Sequence, residues 1–461
     1  MNQNDIWRCQ FHLTPPAGWL NDPNGLCQYQ GIYHVFFQYA PDYPRDDNKS
    51  WGHYISTDLI HWNFVGTAFY PDTVYDKDGA FSGSTLIDGD SFVVYYTGNV
   101  MQEGEHDYTH SGREANILRI TSRDGMHFSK KECVLRNTDY PQNYTCHIRD
   151  PKVWKEGNLY KMVLGGRTIR DNGAVLFYQS DDGIHWNYTH DLTTLRPFGF
   201  MWECPDYFQL ENQPFLSCCP QGIPVEAYRH QNYHLSGYFP MDETMSKPIN
   251  ETEFREWDYG FDFYAPQTFT DEKGRRILIG WVGKPDTTYE EPSLKHYNWI
   301  HKLTIPRILT NRNGIILQNP VPELKQLRKT KHELITDRWF TTESGCFDWE
   351  LELPENGTRN FTIYITKELE LSYKDSVLSL TFYGKMGAGR TTRKALCDKI
   401  KNIRILADCS VLEIFVQDGA IVQTTHFFPD SARLPVCAHG NFIKNDLWDI
   451  QECVIQTHPE Q

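Results

Sequence analysis

Three acidic side chains stand in settings that could make them reactive. Asp22 lies within Trp19-Leu20-Asn21-Asp22-Pro23-Asn24-Gly25, where Asn, Asp, Pro and Gly by themselves spell a tight turn. The flanking indole shifts that reading, because a carboxyl beside a tryptophan can meet a sugar whose apolar face lies on the ring. Asp150, in Arg149-Asp150-Pro151, reads in isolation as half of a surface ion pair. Glu203 is enclosed by Met201, Trp202 and Cys204, and such neighbours would desolvate its carboxyl, raise its pKa and keep it protonated as a general acid must be. The competing reading is a glutamate facing solvent at a strand end. Taken together, an Asp22 held ionised by hydrogen bonds and a Glu203 held protonated by apolar neighbours form the pair of opposed carboxyls that cleaves an acetal.

Acids so far apart in the chain need a fold that returns repeatedly to one place. The pattern Ser-x-Asp-x-(Ile/Met)-His-aromatic recurs at Ser56–Trp62, Ser122–Phe128 and Ser180–Trp186, amid strand-like runs such as Ile32–Tyr39, Phe92–Tyr96, Ile117–Thr121 and Val175–Tyr178. Units of about sixty residues built from short strands suggest propeller blades, and roughly 310 residues divide into about five of them. Beyond them, Phe361–Ile365, Val377–Tyr383, Ile403–Leu406, Val411–Val416 and Ile421–Phe427 alternate as sandwich strands, with Asp418-Gly419 as a hairpin turn. The expectation is an all-β chain: a five-bladed β-propeller over residues 1–319, a partly helical linker over 320–334 carrying the amphipathic run Pro320–Lys331, and a C-terminal β-sandwich over 335–461.

Composition narrows the partners. A net charge of −15 over 461 residues repels nucleic-acid backbones and anionic membrane surfaces, leaving a neutral small molecule such as a sugar as the better substrate. Twelve cysteines are scattered without paired metal-ligand spacing, which suits buried thiols in a reducing compartment. With no apolar stretch of membrane-spanning or signal-peptide type, the expected location is the cytoplasm.

The motifs around the three acids, together with Phe81-Ser82-Gly83-Ser84, Cys219-Pro220-Gln221-Gly222, Phe263-Tyr264-Ala265-Pro266-Gln267, Gly280-Trp281 and Leu303-Thr304-Ile305-Pro306-Arg307, occur in the order seen in glycoside hydrolase family 32. The sequence resembles that family's bacterial β-fructofuranosidases, of the invertase and sucrose-6-phosphate hydrolase type. The resemblance implies Asp22 as nucleophile, Glu203 as acid/base, and Asp150 as a transition-state stabiliser kept ionised by Arg149. It implies a fructose pocket lined by Asn21, Gln38, Trp51, Phe81, Ser82, Tyr264 and Trp281, with no metal or cofactor. Where many relatives carry a tryptophan this chain has Asp46, and Lys302 replaces a residue that is usually small. A phosphorylated leaving group would require basic residues at the rim, for which Arg45, Lys49, Arg229 and Lys302 are the candidates. Sucrose, sucrose 6-phosphate and short fructo-oligosaccharides stay open as substrates. Fructan hydrolysis, fructosyl transfer, an inverting arabinan-cleaving propeller and a non-catalytic sugar-binding propeller are the rivals, and homo-oligomerisation through the sandwich stays open.

Overall fold

The computed structural model describes residues 5–242, 248–355, 360–450 and 454–457. Five sheets succeed one another between residues 18 and 320, antiparallel save for short parallel pairings at the two edges of the first. Their innermost strands are Gly18–Tyr29, Ala80–Asp88, Tyr144–Glu156, Met201–Leu210 and Tyr264–Thr270. Each packs against the next and the fifth against the first, so the sheets stand radially around a channel as the blades of a five-bladed propeller. Blades 1 to 4 run outward from these strands in chain order. Middle strands such as Ser91–Met101 and Gly173–Ser180 are buried on both faces, which is why they read as unbroken apolar runs rather than as alternating ones.

The repeated Ser-x-Asp motif is structural. It forms the turn between the third and fourth strands of blades 1, 2 and 3. Asp58, Asp124 and Asp182 each accept two backbone N–H bonds and a histidine Nδ1 contact of 2.7 Å. Ser56, Ser122 and Ser180 each accept the N–H of the third residue on. That third residue has φ between 69° and 73°; it is glycine in blades 2 and 3 but Leu59 in blade 1.

Two six-stranded sheets form the C-terminal sandwich. The expected linker is shorter than its sequence implied and is not amphipathic helix throughout. Pro322–Leu327 is a 3-10 turn, and Arg328–Glu333 is already an edge strand of the sandwich, paired with Lys444–Ile450. Its basic residues mark an edge rather than a helix face, with Arg328 on Asp348 at 2.7 Å and Lys331 on Asp446 at 3.1 Å. Nor does the sandwich hold everything that follows residue 335, because Ile455–Gln456 returns to pair in parallel with the outer strand of blade 1.

The sandwich packs on its own propeller through buried charge. Arg307, fully buried, donates through Nε to Glu413 at 2.8 Å and contacts Asp258 at 3.5 Å. Glu413 also meets His12 Nε2 at 2.9 Å, and the other nitrogen of that ring meets Asp408 at 2.9 Å. Breaking one partner of a buried pair leaves an uncompensated charge and costs about 3–5 kcal/mol. Arg307→Leu should therefore lower the thermal unfolding midpoint strongly, and adding Glu413→Leu should recover part of the loss; calorimetry of the two variants against the parent checks this.

Candidate active site

All five inner strands break register with their neighbours at one level of the channel. The irregularities fall between Leu20 and Pro23, Ala80 and Gly83, Glu203 and Asp206, and Tyr264 and Gln267, and opposite Arg149 to Lys152 in blade 3. A bulge leaves an extra residue unpaired and re-aims side chains. At three of the five the backbone turns left-handed, at Asp150 (φ 66°), Cys204 (46°) and Ala265 (45°). One polar side chain from each blade is thereby delivered to one end of the channel: Asp22, Ser82, Asp150, Glu203 and Tyr264. The Trp19–Gly25 segment is thus a bulged strand, not a tight turn.

Asp22 sits in a closed set of hydrogen bonds. Ser82 Oγ donates to Oδ2 at 2.6 Å, Asn21 Nδ2 to Oδ1 at 3.1 Å, and Cys204 Sγ lies 3.6 Å from Oδ2. Asn21 is itself held by the Trp19 indole at 2.7 Å and donates to Gln38 at 2.6 Å, while Gln38 donates to Ser82 at 2.8 Å. Every donor around the carboxylate is therefore oriented by another residue. Burial nonetheless outweighs these bonds and, with the charge of Glu203 nearby, raises the Asp22 pKa.

Glu203 faces the same cavity. Its Oε2 accepts from Tyr264 Oη at 2.7 Å and Gln221 Nε2 at 2.6 Å, and its Oε1 accepts from the Arg149 guanidinium, with Nε at 3.2 Å. Asp150, 4% exposed, accepts the Cys204 N–H at 2.9 Å but lies 3.9 Å from Arg149. The protonation order expected from the sequence is reversed here. Burial raises Glu203, but the Arg149 charge and the surrounding donors bring it below the usual carboxylate range, whereas burial lifts Asp150 to about 7 against a weaker pull from the same arginine. Trp202, counted on to desolvate Glu203, points the other way along the alternating strand and bonds the Phe198 carbonyl at 2.7 Å. The guanidinium selects Glu203 rather than the aspartate beside it in sequence.

The cavity has a volume of about 300 Å³ and is lined by the three acids with Trp19, Asn21, Gln38, Lys49, Phe81, Arg113, Arg149, Tyr264, Trp281 and Pro285. Trp281 presents a buried indole N–H with no protein acceptor, a donor for a sugar hydroxyl. Trp51 does not line the cavity, contrary to expectation: fully buried, it packs at a tilt against Phe69, ring centroids 4.9 Å apart, and donates to the Phe81 carbonyl at 3.0 Å, fixing the backbone of a residue that does line it. Ser82, equally buried, acts through Asp22. Arg113 and the Gln221 contact went unassigned in the sequence reading; the Cys-Pro-Gln-Gly motif held a signal for Gln221, and nothing local marked Arg113. Among the described residues, the Cys, His, Asp and Glu atoms close enough to share a metal ion are those of Cys346, Asp408 and Cys409, in the sandwich and outside this lining.

The profile of the glycosyl hydrolases family 32 N-terminal domain matches residues 12–320, and that of the family 32 C-terminal domain matches 323–446. The chain belongs to glycosyl hydrolase family 32. Among curated relatives, a sucrose-6-phosphate hydrolase of Bacillus subtilis is 35% identical, covering 92% of this chain and 90% of its own. A raffinose invertase of Escherichia coli is 34% identical over 97% and 96%. Among solved structures, sucrose-6-phosphate hydrolase from Lactobacillus gasseri superimposes with a TM-score of 0.85 at 27% identity over 97% and 94% of the two chains. A variant of a Bombyx mori family 32 β-fructofuranosidase in complex with sucrose gives 0.84 at 26%, over 98% and 95%. Within this family 32 chain, Lys302 acquires a role the sequence left blank. Fully buried, it pairs with Glu291 at 3.3 Å beside His301, whose Nδ1 meets the Leu20 carbonyl at 3.0 Å. Its charge is compensation beneath the strand that carries Asp22.

Asp150 gives a stability test. Its folded pKa is raised from the ordinary aspartate value to about 7, so the stability it contributes is full below the ordinary value and is lost as pH rises through 7. Asp150→Asn carries no such charge. Its unfolding free energy relative to the parent should be near equal at pH 4 and higher by pH 8, with the difference growing between them to on the order of a few kcal/mol; a difference that stays constant across that range would contradict the assignment.

Proposed function

We propose that the protein is a retaining β-fructofuranosidase that releases terminal fructose from small sucrose-type sugars. The observation that carries this reading is the placement of Asp22 and Glu203 in one small cavity with Cys204 between them: it follows Glu203 in the chain and touches Asp22 through Sγ. Two carboxyls in one cavity are the equipment of double displacement, in which they stand about 5–5.5 Å apart, and family membership favours that course over inversion, which needs room for a water between acid and sugar. Family membership and the names of the relatives support the fructoside as substrate.

In this mechanism Asp22 attacks the anomeric carbon of fructose while Glu203 protonates the leaving oxygen, and water activated by Glu203 then hydrolyses the fructosyl ester. In the resting site burial pushes the Asp150 and Asp22 pKa values up, while Arg149 and the surrounding donors hold that of Glu203 down. Fructose hydroxyls donating to Asp150 and Asp22 would favour the ionised forms that attack and charge stabilisation require. Asn21, Gln38 and Trp281 offer amide and indole groups to the ring hydroxyls, and Tyr264 orients Glu203. The reading extends to an intracellular site of action, supported by twelve cysteines scattered through a long chain rather than arranged as a disulfide framework.

Asp22→Asn and Glu203→Gln should each lower kcat on sucrose by about ten-thousandfold or more while circular dichroism stays unchanged. Proton NMR of early hydrolysis should show the β-anomer of fructofuranose first, and α-anomer first would sink the double displacement. Arg149→Gln removes the charge that lowers both Glu203 and Asp150. Both limbs of the kcat/KM profile should then move to higher pH by about one unit or more.

A further inference from the structure

The last blade meets the first at a residue that the proposed mechanism does not use. His301 stands between two short strands that go separate ways: Trp299–Ile300 pairs in parallel with Gly18–Trp19 of blade 1, and Lys302–Leu303 pairs with Trp281–Val282 of blade 5. The chain changes partner there by a left-handed turn, with φ 71° at His301 itself. A residue other than glycine holds that conformation only where its surroundings fix it, and such residues gather at functional sites.

Three contacts of the buried imidazole bear on the catalytic cavity. Its ring meets Trp19 edge-on with centroids 4.4 Å apart, and Trp281 in the same manner at 5.0 Å. Both indoles line the cavity, and Trp19 donates to Asn21, which donates to Asp22. The third contact is Nδ1 on the Leu20 carbonyl at 3.0 Å; a carbonyl only accepts, so that nitrogen carries a proton. Leu20 is the last residue in register before the bulge that presents Asp22. His301 thus grips the nucleophile's strand where it leaves its ladder, and also the indole that orders the nucleophile's hydrogen bonds.

The far side of the imidazole is closed by the sandwich. Glu291 Oε1 lies 3.4 Å from His301 Nε2 and 2.9 Å from Nδ1 of His426, the last residue of the sandwich strand Ile421–His426. The two imidazoles lie nearly parallel, 6.3 Å apart. The backbone of His426 is fixed in turn, its N–H on Asp262 at 2.9 Å and its carbonyl accepting from Arg390 at 2.9 Å. A buried file of side chains therefore runs from the sandwich to the strand of Asp22, and close-packed interiors pass a displacement on rather than absorb it.

We propose that His301 is a positioning residue for the nucleophile, and that the sandwich sets its place through His426 and Glu291. The proposal rests on the β-fructofuranosidase reading and gives the second domain a part in aiming Asp22. A shift of that carboxylate by about 1 Å is enough to cost on the order of a hundredfold in rate.

The test is kcat/KM for sucrose and for an aryl β-fructofuranoside, whose phenolate leaves without a proton, measured on the parent, His301→Ala, His301→Asn, His426→Ala and the His301→Ala/His426→Ala pair, with circular dichroism and melting curves as the check on folding. His301→Ala should lose about a hundredfold on both substrates, because both need attack by Asp22, whereas Glu203→Gln should recover most of its loss on the aryl fructoside. His301→Asn tolerates the left-handed backbone and can keep an N–H toward Leu20, so it should regain about tenfold, the range of one hydrogen bond. His426→Ala should lose about tenfold, and the double variant should be no worse than His301→Ala alone, as when one residue acts through another. A His301→Ala loss relieved by the aryl leaving group, or folded His301 variants whose melting temperature falls while kcat/KM below it stays at the parent value, overturns the proposal and leaves fructoside hydrolysis standing. Losses that multiply in the double variant overturn the route from the sandwich. Turnover of neither fructoside by the folded parent overturns the β-fructofuranosidase reading and the proposal with it.

Discussion

Three carboxyls share one small cavity, and the contact that makes this tolerable is the Arg149 guanidinium on Glu203. Removing a charge from water is costly unless a partner and hydrogen bonds replace the lost hydration. With one arginine in direct contact, only one of the acids can be fully compensated. The guanidinium chooses Glu203, and Asp22 and Asp150 are left with pKa values that burial raises. The cavity therefore pushes its acids in opposite directions, Glu203 toward the ionised form and the two aspartates toward the protonated one. The ring of Ser82, Asn21, Gln38 and Trp19 around Asp22, and of Tyr264 and Gln221 around Glu203, keeps them from relaxing away from each other.

The bulges in the five inner strands serve that same constraint. A regular strand alternates its side chains between two faces, so consecutive residues such as Glu203 and Cys204 could not both reach the acids. The left-handed turn at Cys204 lets its N–H meet Asp150 and its sulfur meet Asp22, while Glu203 next to it meets Arg149. One residue thus touches both aspartates and neighbours the glutamate.

Much of this was readable in the order of residues, and the limits are physical. The three acids and most of the sugar-facing residues lie in contiguous motifs, so local pattern was enough to find them. The blades were legible through the repeated Ser-x-Asp turns, although these lie at the outer corners and carry no chemistry. What could not be read was the protonation order, because it depends on which of two carboxylates a long, flexible arginine faces after folding. Trp51 was misplaced for a related reason: strand periodicity says which face a side chain takes, not whether Phe81 intervenes between it and the cavity. Lys302, offered as a rim cation, proved to be buried on Glu291, and Arg113 was silent, since their partners, or the lack of them, are set by distant segments. The strand Arg328–Glu333 hid behind a charged composition that suits an edge as well as a linker.

The pairing of Ile455–Gln456 with the outer strand of blade 1 sets an order of events during synthesis. Trp62 and its strand leave the ribosome early, and the segment that completes their sheet follows 393 residues later. Until then the first blade, which carries Asp22, must wait with an unpaired edge exposed. The inner side of that blade is likewise closed late, by Trp299–Ile300 pairing with Gly18–Trp19. The blade that begins the propeller is thus the last to be finished.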